Sequence, residues 1–161
     1  MIDRTQAVIN GLQFERETDL NTLLVANGFE ISSDKVYRNG ELYAFSVPKH
    51  ALYNFIGIKY QDRISKKLLP DEALIVPSLN KAFIFEKKFQ TRNGSVDEKL
   101  QTCDFKKRQY AKLLPNIEVE YIYILNDWFK DKKYTDTLEY IQEVGCSYYF
   151  NSIPLSELLD F

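Results

Sequence analysis

Two acidic residues and a lysine carry the chemistry most readable in this chain: Asp71, Glu86 and Lys88, at the ends of the two apolar runs in LLPDEALIVPSLNKAFIFEKKFQ. Charges at the ends of strands that should be buried cost free energy unless something compensates them. If Pro77 to Asn80 forms a tight turn without a bulge, Ile75 faces Ala82, Ala73 faces Ile84 and Asp71 faces Glu86 across an antiparallel pair. Opposed side chains there have Cβ atoms roughly 4.5–5.5 Å apart, so two carboxylates repel unless a cation lies between them. A hard divalent ion such as Mg²⁺ suits that geometry, because it binds through one or two carboxylates and keeps waters or substrate oxygens.

Strand alternation turns Lys88 to the face of Glu86 and Lys87 to the other. Acid, acid and lysine on one surface fit phosphodiester hydrolysis, in which a metal polarises the phosphoryl oxygen and activates water while an ammonium steadies developing charge. The competing reading is a solvated strand end, with Lys88 in an ordinary surface ion pair.

These residues must be positioned by one domain. The chain has 161 residues, enough for a single sizeable core, with 45% hydrophobic and 27% charged residues. It has no run of about eighteen apolar residues, so no membrane span is expected. MIDRTQAVINGLQFERE lacks a signal-peptide pattern, and Cys103 and Cys146 make no disulfide framework, so a cytoplasmic protein is expected. Net charge of −2 and a pI near 5.5 argue against binding nucleic acid by overall positive charge. One histidine, His50, and two distant cysteines give no zinc spacing, leaving oxygen ligands for any metal.

Along the chain the pattern predicts a helix from Thr5 to Asn27 ended by Gly28, an extended piece at Phe29 to Ile31, and a hairpin from Lys35 to Phe45 turning at Asn39-Gly40. A short helix follows Pro48 toward Ile56. Strands are predicted over Asp71 to Val76 and Lys81 to Phe89, then a helix from a Ser95–Glu98 capping box to Leu114. Strand 117–125, helix 131–144, strand 146–150 and helix 154–159 complete an α/β domain of three layers.

Pro70-Asp71, a turn and Glu86-Lys87-Lys88 resemble the signature of the PD-(D/E)XK nuclease superfamily, which includes many restriction endonucleases and Holliday junction resolvases. The resemblance implies a restriction endonuclease-like three-layer fold, a central mixed sheet flanked by helices, over residues 1–161, with an insert at about 32–67. It implies an Mg²⁺-dependent DNA endonuclease, with Mn²⁺ as a substitute. Asp71 and Glu86 hold metal, the Lys87 carbonyl adds a ligand and Lys88 assists the water.

FERETDLNTLLVANGF is similar to the opening helix of archaeal Holliday junction resolvases, where a glutamate assists at the metal; Glu17 fits that spacing better than Glu15. The alternative for Glu17 is an exposed helix residue paired with Arg16 or Asn21. Lys99 and Lys106, on the helix after the motif, and Arg92 just before it, are phosphate-contact candidates. Arg38 on the hairpin is a candidate for the major groove. The implied partner is double-stranded DNA, cut by a homodimer or a heterodimer with another subunit.

The leading expectation is a type II restriction endonuclease or its catalytic subunit. A Holliday junction resolvase or other structure-specific repair nuclease is the alternative among enzymes. Outside enzymes the alternative is a non-cleaving DNA-binding or assembly protein.

Overall fold

A computed structural model describes residues 3–161. Two helices open the chain, α1 (Arg4–Glu17) and α2 (Leu20–Ala26). They replace the single helix expected through Asn27. The Thr18 hydroxyl bonds back to the Phe14 carbonyl at 2.7 Å, and Asp19 restarts the helix by accepting from the Thr22 N–H at 3.0 Å. Capping of this kind draws Asp out of helix interiors.

Strands β1 (Glu30–Ser32), β2 (Lys35–Arg38) and β3 (Glu41–Ser46) form an antiparallel meander. Asn39 and Gly40, with φ of 50° and 79°, make the tight turn between β2 and β3. Helix α3 (Ala51–Ile56) and a long connection lead to β4 (Glu72–Val76) and β5 (Lys81–Lys88). A short helix α4 (Val96–Lys99), α5 (Cys103–Leu113), β6 (Glu118–Leu125), α6 (Thr135–Glu143), β7 (Ser147–Phe150) and α7 (Leu155–Leu158) complete the chain.

All seven strands form one mixed sheet in chain order. The first five pair antiparallel, and β5–β6 and β6–β7 pair parallel across helical crossovers. The hairpin is therefore part of the sheet: Phe45 and Ser46 of β3 pair with Ile75 and Leu74 of β4, and Val36 and Ala44 are fully buried. Much of the stretch expected as an insert at 32–67 thus supplies sheet strands, because only pairing satisfies the backbone of β2 and β3 while burying those side chains.

Alternation along the central strands splits the core into two layers. Ala73, Ile75, Ala82, Ile84, Tyr121 and Tyr123 pack with Leu52, Cys103, Tyr110, Leu113 and Ile141, the side of α3, α5 and α6. Leu74, Val76, Phe83 and Phe85 pack on the other side with Phe14, Leu20, Leu24 and Leu155 of α1, α2 and α7. The protein is thus a mixed α/β structure of three layers.

Other boundaries differ from expectation. Ser95 precedes α4 in a helical conformation, φ −72° and ψ −5°, and its side chain makes no capping bond. A capping serine needs extended backbone, and the predicted long helix is interrupted by a 3₁₀ turn at Leu100–Thr102. Another such turn, Lys132–Tyr134, opens the segment predicted as a helix from Asp131. Trp128 and Phe129 belong to the core: Phe129 is fully buried and the indole N–H of Trp128 donates to the Tyr134 hydroxyl at 2.7 Å. Among the described residues no helix is long and apolar enough to cross a membrane.

Candidate active site

The pairing of β4 with β5 has the register expected from the sequence. Ile75 pairs with Ala82, Ala73 with Ile84 and Glu72 with Phe85. Continuing one step brings Asp71 opposite Glu86, and a bond from the Lys87 N–H to Asp71 Oδ2, 2.7 Å, closes the pair beyond the last ladder position. The turn that sets this register is a 3₁₀ turn over Pro77–Leu79, ended by Asn80 in the left-handed region at φ 51°.

Glu86 is buried, and Asp71 is half-buried. Burial, and next the Asp71 charge, push the Glu86 carboxyl above its ordinary range, while Lys88 and Lys106 pull the other way. The Lys88 ammonium lies 3.5 Å from Glu86 Oε2. Tyr110, Tyr121 and Tyr123 line the protein beneath Glu86; burial first, then the Glu86 charge, raises Tyr110 and Tyr121. The strand ends thus gather two acids and a lysine on the α5 side of the sheet.

Adjacent residues serve the opposite face. Glu72 is buried and accepts from the Leu20 N–H at 2.9 Å and from the Lys87 ammonium at 2.9 Å. Glu15 Oε2 lies 3.5 Å from the same ammonium. The Lys87 side chain therefore anchors α1 and α2 to the sheet, and its main chain is the part that meets Asp71.

The glutamate of α1 that approaches this end of the sheet is Glu15, whereas Glu17, the residue expected from the spacing, lies away from it. Residues two apart on a helix point to nearly opposite sides, and Glu17 is exposed and accepts from Gln13 Nε2 at 2.8 Å.

The four basic candidates separate in space. Lys106 of α5 is half-buried and close enough to Glu86 to favour its charged form. Its neighbours are engaged elsewhere, Lys107 on the Gly145 carbonyl at 2.7 Å and Arg108 on Asp104 at 3.2 Å. Lys99 is exposed on α4 and Arg92 lies in the loop before it, beside Phe89, Arg4 and Val8. The Arg38 guanidinium lies over the rings of Phe29 and Phe161, 5.1 and 4.7 Å from their centroids, which commits it to packing.

Lys49 is the member of the site that pattern reading missed. Its ammonium is 2.9 Å from Asp71 Oδ1. Lys49 lies in the turn after β3, and strand alternation carries no information about where such a turn folds back.

Among the described residues no group of three or more histidine, cysteine, aspartate and glutamate side chains is gathered to hold a metal ion. Asp71 and Glu86 are the two carboxylates at these strand ends, too few for a closed protein cage around an ion. Comparison of the chain with protein-family models, curated proteins and solved structures finds no match.

Proposed function

We propose that the protein is an Mg²⁺-dependent DNA endonuclease with a restriction endonuclease-like fold, most simply a type II restriction endonuclease or its catalytic subunit. The observation that carries the reading is the β4–β5 register, which sets Asp71 against a buried Glu86 with Lys88 on the same face. Two acids held together at the open end of a sheet pair cost stability in isolation, and a divalent cation offsets that cost. Support for the fold comes from the order α1, three antiparallel strands β3 to β5, α5 and the parallel strand β6, which has the core order of the superfamily the motif resembles.

Asp71 and Glu86, with the Lys87 carbonyl, would hold Mg²⁺ or Mn²⁺, which when bound supplies a Lewis acid and a water of lowered pKa. Lys88 orients the attacking water and steadies negative charge on the phosphoryl oxygens. Lys106 and, farther along the same side, Lys99 contact flanking phosphates of double-stranded DNA. One such site cuts one strand, so duplex cleavage calls for two copies or a second subunit.

Incubation of the purified protein with plasmid and phage DNA, in Mg²⁺ and in EDTA, tests the reading. Discrete Mg²⁺-dependent fragments are expected. Cleavage confined to branched duplexes would move the assignment to a junction-resolving nuclease, and metal-independent binding without cleavage to a DNA-binding or assembly protein.

A further inference from the structure

Lys49 makes a closer ionic contact with the acidic pair than Lys88 does, 2.9 Å against 3.5 Å. Its backbone is unusual: φ is 54°, in the left-handed region that side-chain-bearing residues seldom occupy. Its N–H donates to the carbonyl of Pro70 at 2.9 Å, tying the turn after β3 to the residue before Asp71. Strained backbone persists where its surroundings over-determine it, and this clamp sets the lysine stem over the carboxylate.

Both oxygens of Asp71 are thereby engaged, Oδ1 by the Lys49 ammonium and Oδ2 by the Lys87 N–H. The two partners differ in permanence. The Lys87 N–H is fixed in the sheet, whereas the Lys49 side chain is 57% exposed on a flexible four-carbon stem.

A divalent cation arriving at Asp71 meets that ammonium as a rival, since two cations on one carboxylate repel. Once displaced, the ammonium remains tethered within a side chain's length of the acidic pair, where a phosphate must lie for its bond to be cut. Resting on the reading of Asp71 and Glu86 as a metal-binding pair, we propose that Lys49 neutralises Asp71 in the metal-free protein. It then yields that carboxylate to a divalent cation and binds the substrate phosphate beside the reacting bond.

The experiment is a Mn²⁺ titration by calorimetry of the full chain as wild type, Lys49→Gly, Lys49→Arg and Asp71→Asn. Glycine accepts a φ of 54° without strain and brings no ligating group, so the fold is not put at risk. Lys49→Gly should bind Mn²⁺ about two- to fivefold more tightly, a change sized by the half-exposed ion pair that no longer has to break. Lys49→Arg should stay near wild type. With a short duplex in Ca²⁺, Lys49→Gly should bind more weakly and show a salt slope shallower by roughly one.

A purely structural ion pair predicts the opposite, since losing it would leave Mn²⁺ affinity unchanged or lower. That result, with wild type binding Mn²⁺ and Asp71→Asn failing to, would overturn the role of Lys49 and leave the acidic pair as a metal site. Absence of Mn²⁺ binding by both wild type and Lys49→Gly would overturn both.

Discussion

Lys87 Nζ lies 2.9 Å from Glu72 Oε2 on the α1 and α2 side of the sheet, with only 6% and 9% of the two side chains exposed. Each is the chain neighbour of a residue on the opposite face, Glu72 of Asp71 and Lys87 of both Glu86 and Lys88. The strand ends therefore hold two charge clusters back to back, one tying helices to the sheet and one open to chemistry. Removing one partner of a buried pair leaves an uncompensated charge. Lys87→Ala should lower unfolding stability by about 3 kcal/mol, read by urea denaturation, whereas Lys88→Ala should cost less, because its contact is longer, 3.5 Å against 2.9 Å, and its side chain more exposed. Equal losses in the two variants would refute the division of roles.

Glu86 yields a pH prediction in the metal-free protein. Burial and the Asp71 charge raise its carboxyl above the ordinary range. A raised acid binds its proton more tightly in the folded than in the unfolded state, so its contribution is largest at acid pH and falls as pH rises through the folded value. Glu86→Gln removes that dependence. In EDTA the variant should melt higher than wild type at pH 7, by about 2–4 °C for each 1 kcal/mol gained, and the difference should shrink toward pH 4. A lower melting point at pH 7 would count against the assignment.

The two glutamates of α1 should separate cleanly. Glu15 lies 3.5 Å from the Lys87 ammonium, and Glu17 pairs with Gln13 on the surface. Glu15→Gln is expected to loosen the contact of α1 with Lys87 and lower thermal stability by less than about 1 kcal/mol, with Glu17→Gln melting as wild type does. The reverse order would make Glu17 the residue that anchors α1.

Lys106 and Arg38 make a second contrasting pair. Lys106→Ala should weaken binding of duplex DNA evenly across sequences and flatten the salt slope by roughly one. Arg38→Ala should leave that slope unchanged and lower stability by about 0.5–1 kcal/mol, the size of an exposed cation–π contact. Fluorescence anisotropy at several salt concentrations, beside thermal melts, distinguishes the two.

The register of the site was legible in the sequence because period-two alternation and a short connection leave few ways to pair residues 72–76 with 81–85. The Asn39-Gly40 turn was legible for the same local reason, a demand for positive φ at two positions. What escaped lay outside apolar spacing. The break at Thr18-Asp19 is made by Asp19 capping the Thr22 N–H and held by the Leu20 N–H reaching Glu72, far away in sequence. Apolar spacing runs through that break unchanged. Ser95 has the residues of a capping box and lacks its backbone, with Tyr134 instead donating to Asp97 Oδ1 at 2.8 Å. Lys49 reaches Asp71 through a turn whose direction is set by its bond to Pro70, and no pattern within its own segment encodes that.

Asp71, Glu86 and Lys88 are proposed to form one metal-dependent hydrolytic site. Its most direct measurement is Mg²⁺-dependent cleavage of plasmid and phage DNA by wild type beside a Lys88→Ala variant shown to be folded. Discrete fragments are expected from wild type, none in EDTA, with a loss of at least about a hundredfold in the variant, the usual weight of one electrostatic group acting on the transition state. Cleavage by Lys88→Ala at the wild-type rate would contradict it.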